Sequence, residues 1–90
     1  MQGGGVPTPE SVRKRLADLL NEIAGIPTHL MTEIATVEDE LQMDSVAFVE
    51  LQVSLEEEYD IQLDPVMVVE LGRFGAIADY ICSLAVGTHR

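Results

Sequence analysis

Positive charge is scarce in this 90-residue sequence: five Lys and Arg stand against sixteen Asp and Glu, for a net charge of −11. That field repels the phosphate backbone of nucleic acid and anionic lipid headgroups, so neither is expected as a partner. Any charged partner should be basic. Cysteine is limited to Cys82, which cannot pair within the chain; this argues against a disulfide scaffold and fits a reducing compartment. His29 and His89 sit far apart with no second cysteine, so no zinc-ligand spacing can be assembled and no metal is expected. Tryptophan is absent, and no apolar run reaches the roughly 18 residues that would suggest a membrane span. The start, Met1 to Pro7, lacks the basic residues and apolar stretch of a signal peptide, and the chain reads as cytoplasmic. So short a chain has room for one domain with a single small core, little volume for a dry catalytic cleft, and a binding or carrying role as a monomer.

What is present reads as helices. Residues 1–7 are Gly-rich without periodicity and are expected to be a flexible tail, and residues 87–90 are expected to form a C-terminal tail. Thr8 as N-cap and Pro9 at the first helical position open a helix with apolar residues at Val12, Leu16, Leu19, Leu20 and Ile23; Gly25 and Pro27 end it. From Ile26 to Met43, Leu30, Met31, Ile34, Val37 and Leu41 are scattered without a helical period, which predicts a long ordered loop. A second helix should begin at Asp44-Ser45 and run to about Tyr59. Asp64-Pro65 opens a short third helix that Gly72 stops, and a fourth is expected from Phe74 to about Leu84, burying Ile77, Tyr80, Ile81 and Leu84. The fold class is therefore all-α: a small four-helix bundle with a long loop between its first two helices and a short third helix.

The second helix has two apolar faces. Phe48, Leu51, Leu55 and Tyr59 form the natural core stripe, while Val46, Val49 and Val53 fall roughly opposite, with Glu50 and Glu57 in the same sector and Glu56 at its edge. Either the helix is buried over most of its circumference, or the second face docks a partner whose apolar patch has basic surroundings. Charge favours docking, because no Lys or Arg occurs from Leu16 to Gly72 while acidic residues crowd that span. The runs Glu38-Asp39-Glu40 and Glu56-Glu57-Glu58 lack the alternating acids and central Gly of an EF-hand loop.

The segment Leu41-Gln42-Met43-Asp44-Ser45-Val46-Ala47-Phe48-Val49-Glu50-Leu51, with the exit Leu55 to Ile61 and the run Phe74 to Ile81, resembles the acyl carrier and peptidyl carrier protein family over about residues 9–85. The resemblance makes residues 8–86 the carrier domain and implies that Ser45, in an Asp44-Ser45-Val46 signature opening the second helix, carries 4′-phosphopantetheine from coenzyme A. It implies a protein that is not itself an enzyme. A phosphopantetheinyl transferase with Mg²⁺ would modify it, an acyltransferase or an adenylation or ligase enzyme would load it, and downstream synthases or transferases would use the thioester. Val46, Val49, Glu50, Val53 and Glu57 are the expected recognition face. Many family members have Gly where this chain has Gln42, and that residue with the valine-rich helix leans toward polyketide or nonribosomal peptide metabolism over primary fatty acid synthesis.

The residues themselves support this reading. A Ser at a helix start lies at the positive end of the helix dipole, a favourable field for a phosphodiester. The bland alternative makes Ser45 a helix-start residue and Asp44 its cap. Two functional rivals exist: an unmodified acidic helical adaptor for basic proteins, and a small hydrolase using Ser45. The hydrolase lacks a Gly-x-Ser-x-Gly setting and an oriented base, since His29 has no evident partner carboxylate and His89 belongs to a tail.

Overall fold

The computed structural model of the chain describes residues 7–36, 39 and 44–88. Among these, helices α1 (Pro9–Ala24), α2 (Ser45–Tyr59), α3 (Pro65–Leu71) and α4 (Phe74–Thr88) account for nearly all regular structure, joined by a 3₁₀ turn at Thr28–Leu30 and one isolated antiparallel bridge, Thr36 to Arg73. The all-α four-helix expectation holds.

Local chemistry sets most of the boundaries. Thr8 Oγ1 accepts from the Ser11 amide at 3.1 Å and Ser11 Oγ accepts from the Thr8 amide at 3.0 Å, a reciprocal cap that satisfies two amides at the start of α1. At its other end Gly25 takes the left-handed conformation, φ 68°, and its amide donates back to Asn21. Asp60 closes α2 in the same region at φ 54°, an uncommon conformation for a residue with a side chain. Asp64 Oδ1 caps α3 by accepting from the Val66 amide at 3.0 Å, Pro65 fixes its first turn, and Gly72 ends it at φ 72°.

α4 starts at Phe74 as expected and departs from the sequence reading at its other end. Its first amides are satisfied by carbonyls of the long loop, Phe74 donating to Ala35 O at 2.8 Å and Gly75 to Glu33 O at 3.0 Å. It then runs to Thr88 rather than ending near Leu84, so Gly87 and Thr88, expected in the tail, are helical. The buried stripe is also rotated: Ile77, Ala78, Ile81, Cys82 and Ala85 are buried, while Tyr80 and Leu84 are only half-buried. Small residues at 78, 82 and 85 allow close packing, and α1 packs more extensively on α4 than on any other helix.

Val12, Leu16, Leu19 and Leu20 of α1, Leu51 and Leu55 of α2, and Val68 of α3 complete the core. The long loop is pinned by Ile26 and Ala35, both buried, rather than by Leu30 and Ile34, which are exposed. Arg13 of α1 clasps the loop. Its Nε donates to Glu33 Oε2 at 2.6 Å, Nη2 to Glu33 Oε1 at 2.7 Å, and Nη1 to Asp79 Oδ1 of α4 at 2.9 Å. These hydrogen bonds hold the Glu33 carboxyl below its ordinary range and raise the Arg13 guanidinium pKa. The loop thus caps α4 with its backbone and is anchored to α1 and α4 by one guanidinium.

Val37, Leu41, Gln42, Glu38, Glu40 and His89, singled out above, lie outside the described residues, as do positions 1–6 of the expected N-terminal tail.

Candidate functional site

Asp44 makes the N-cap of α2. Its Oδ1 accepts from the Ala47 amide at 2.8 Å and its carbonyl accepts from Phe48 at 3.0 Å, so it closes the first turn from both side chain and backbone. Ser45 follows as the first helical residue and is exposed. Because Asp44 supplies the cap, the Ser45 hydroxyl is not used for that purpose, and no described residue hydrogen-bonds to it. The amides at a helix start beyond the capped one lack intrahelical acceptors, and the aligned peptide dipoles of a 15-residue helix place partial positive charge there. An exposed hydroxyl in that field fits attachment of a phosphodiester-linked group. Asp44 therefore holds the bland role, and it does so in a way that leaves Ser45 available.

The two faces of α2 separate cleanly. Ala47, Leu51 and Leu55 are buried, with Phe48 and Tyr59 packed half-buried at the margins; burial raises the Tyr59 phenol pKa. On the other side Val46 is 68%, Val49 58% and Val53 46% exposed, beside exposed Glu50 and Glu57. Burial over the whole circumference is thus not the explanation for the valines. The acidic run divides by role: Glu56 turns inward to accept from the Leu63 amide at 2.8 Å, and Glu58 pairs with Arg15 at 3.1 Å, leaving Glu57 outward. All three basic side chains of α1 are engaged within the chain, Arg13 with Glu33 and Asp79, Lys14 with Asp18, and Arg15 with Glu58. No ion pair among the described residues reaches Glu50 or Glu57, so their field faces solvent uncompensated.

Two features escaped the sequence. Val66, Met67 and Val69 of α3 are exposed, because a seven-residue helix buries only Val68; the signal was five apolar residues in so short a helix. Behind α2 lies a small apolar cavity between α1, α2, α3 and α4, with Phe48, Leu51, Leu55, Val68 and Ile81 on its wall and Gln52 as its sole polar lining residue among the described residues.

The remaining candidates are apart from this site. His29 is exposed on the 3₁₀ turn, and no hydrogen bond among the described residues joins it to Ser45. Cys82 is buried on α4, its Sγ 3.7 Å from the Pro7 carbonyl. No cluster of three or more metal-ligating side chains occurs among the described residues. No helix is long and apolar enough to cross a membrane among them.

Comparison with known proteins converges on the same stretch. The family pattern for a phosphopantetheine attachment site matches residues 14–81. An acyl carrier protein of Acidothermus cellulolyticus is 34% identical over 77 residues, covering 86% of this chain and 92% of that protein. A meromycolate extension acyl carrier protein of Mycolicibacterium smegmatis is 29% identical over 77 residues, 86% and 78% of the two chains, and an acyl carrier protein of Thermobifida fusca is 27% identical over 66 residues, 73% and 84%.

Proposed function

The chain belongs to the acyl carrier protein family, whose prosthetic group is covalently attached 4′-phosphopantetheine, and from that membership we propose that Ser45 is the attachment residue. The carrying observation is the division of labour at the start of α2: Asp44 takes the capping bond and Ser45 presents its hydroxyl to solvent at the positive end of the helix. Family members carry rather than catalyse. Here a phosphopantetheinyl transferase with Mg²⁺ directs Ser45 Oγ onto the pantetheine-bearing phosphorus of coenzyme A; the pyrophosphate P–O bond breaks, adenosine 3′,5′-bisphosphate leaves, the hydroxyl proton passes to a base of the transferase, and a phosphodiester joins the arm to Ser45. The terminal thiol of the arm, not buried Cys82, then holds cargo as a thioester.

Loading falls to an acyltransferase or an adenylation or ligase enzyme, and a synthase or transferase consumes the product. All meet the chain as a cytoplasmic monomer. Tethering raises the effective concentration of cargo at each partner, and Val46, Val49, Glu50, Val53 and Glu57 give each partner one orientation to read. Charge on that face steers encounter more than it fixes affinity, which suits a carrier that must leave each enzyme. Of the two secondary pathways, polyketide-type acyl chemistry has more support than nonribosomal peptide chemistry, since the relatives are named acyl carrier proteins, one of them for meromycolate extension.

The same uncompensated acidic face also suits an unmodified adaptor, and modification separates the two readings. Intact mass is measured before and after incubation with coenzyme A, Mg²⁺ and a broad-specificity phosphopantetheinyl transferase. A gain of one phosphopantetheine on the native chain and none on Ser45→Ala is expected. No gain from a folded, unmodified chain would overturn the carrier role of Ser45 and leave the adaptor.

A further inference from the structure

Among the lining residues of the cavity behind α2, ten are apolar and one, Gln52, is not. Gln52 is half-buried, and its Nε2 donates to Leu63 O at 3.4 Å, the long end of a hydrogen bond. A carboxamide offers two donors and two acceptor lone pairs, so one long bond leaves most of its capacity unspent on the protein. One turn further along the same helix, Glu56 Oε2 accepts from the Leu63 amide at 2.8 Å, so the Leu63 backbone is held to α2 at its N–H as well as at the carbonyl that Gln52 reaches. Ser45 lies on this helix too, about 10 Å along its axis from Gln52 at the usual rise per residue.

We propose that Gln52 determines cargo specificity, favouring an acyl chain that bears a hydrogen-bonding oxygen, a hydroxyl or keto group, over a saturated chain of equal length. The inference rests on Ser45 carrying the phosphopantetheine arm and on the small cavity widening to admit the cargo. A saturated chain laid along the cavity would cut the Gln52 carboxamide off from water and return no partner, which is costly for a buried polar group. A hydroxyl in the chain can pair with it, and each group then satisfies the other. In a wholly apolar cavity the order reverses, since the hydroxyl gives up its hydration for nothing. The preference therefore changes sign with this one side chain.

The test loads the full chain with octanoyl-, 3-hydroxyoctanoyl- or 5-hydroxyoctanoyl-phosphopantetheine from the matching coenzyme A derivatives, with attachment confirmed by intact mass, and compares thermal melts. At least one hydroxylated form should melt about 4–8 °C above the octanoyl form, the shift that one net hydrogen bond produces in a domain of this size. In Gln52→Leu the octanoyl form should melt higher. The Gln52 side-chain amide resonance of the native chain should move further with that hydroxylated cargo than with octanoyl, a readout that does not depend on the variant folding. An octanoyl form at least as stable as both hydroxylated forms, an unchanged order in Gln52→Leu, or an equal response of the amide to all cargoes would overturn the proposal. Failure of attachment in the mass spectrum is a different result and would remove the Ser45 assignment on which the proposal rests.

Discussion

Replacing Gly75 with Ala in the first turn of α4 should destabilise the protein, against the usual direction of a Gly to Ala change in a helix. Helix propensity alone would stabilise by about 0.5–1 kcal/mol. A Cβ at Gly75, however, would land on the Glu33 carboxylate and come within 3.1 Å of the Glu33 backbone oxygen. The exposed carboxylate can swing away only by abandoning Arg13, whose Nε and Nη2 hold it at 2.6 and 2.7 Å. The carbonyl can retreat only by lengthening the 3.0 Å bond with which it caps the Gly75 amide. Overpacking of this kind costs about 1–3 kcal/mol, so the net effect is a loss of about 1 kcal/mol. Thermal unfolding followed by helical circular dichroism should show a Tm fall of about 4–8 °C. Introducing Gly75→Ala into a Glu33→Ala background, where no carboxylate stands in the way, should cost less. A Tm that rises on Gly75→Ala in the native background would refute the packing of the loop against α4.

Asp44→Ala removes the α2 cap and should lower stability by about 1 kcal/mol in a denaturant melt; an unchanged midpoint would mean that the Asp44 to Ala47 bond does not hold the helix start. Because Arg13 holds the Glu33 carboxyl below its ordinary pKa of 4.5, its contribution is present above that value and is lost as pH falls through the lower folded value. The Tm difference between the native chain and Glu33→Gln should therefore be full at neutral pH, narrow as pH falls below 4.5 and close once pH is below the depressed folded value, and a difference independent of pH would contradict the clasp. Reversing charge with Glu50→Lys and Glu57→Lys should slow association with a phosphopantetheinyl transferase by about tenfold at low salt, with the gap shrinking as salt is added. Equal association rates, measured by stopped flow, would show that this face does not steer partners.

The boundaries of α1, α2 and α3 were legible because each is written in neighbouring residues: Thr8-Pro9 and Gly25, Asp44 and Asp60, Asp64-Pro65 and Gly72. The start of α4 at Phe74 was legible too, but not the loop carbonyls about 40 residues upstream that cap it, and its end was missed because it carries no local stop that the backbone uses. Its buried face was misplaced for a related reason. Hydrophobicity alone ranked Tyr80 and Leu84 above Ala78 and Ala85, while close packing against α1 selects the small side chains. At the site, Ser45 and the outward valines followed from position and periodicity. The inward turn of Glu56, the clasp of Arg13 across 20 and 66 residues, and the place of Gln52 on a cavity wall are tertiary facts with no signature in a single segment.

The most direct measurement is the location of the modification. After incubation with coenzyme A and a phosphopantetheinyl transferase, the protein is cut with a Glu-directed protease, because trypsin has no site between Arg15 and Arg73. Tandem mass spectrometry should place the phosphopantetheine on Ser45, with Ser11, Ser54 and Ser83 unmodified. An adduct on any of those three, or an unmodified Ser45 in a protein that has gained the mass, would contradict the assignment of Ser45 as the carrier residue.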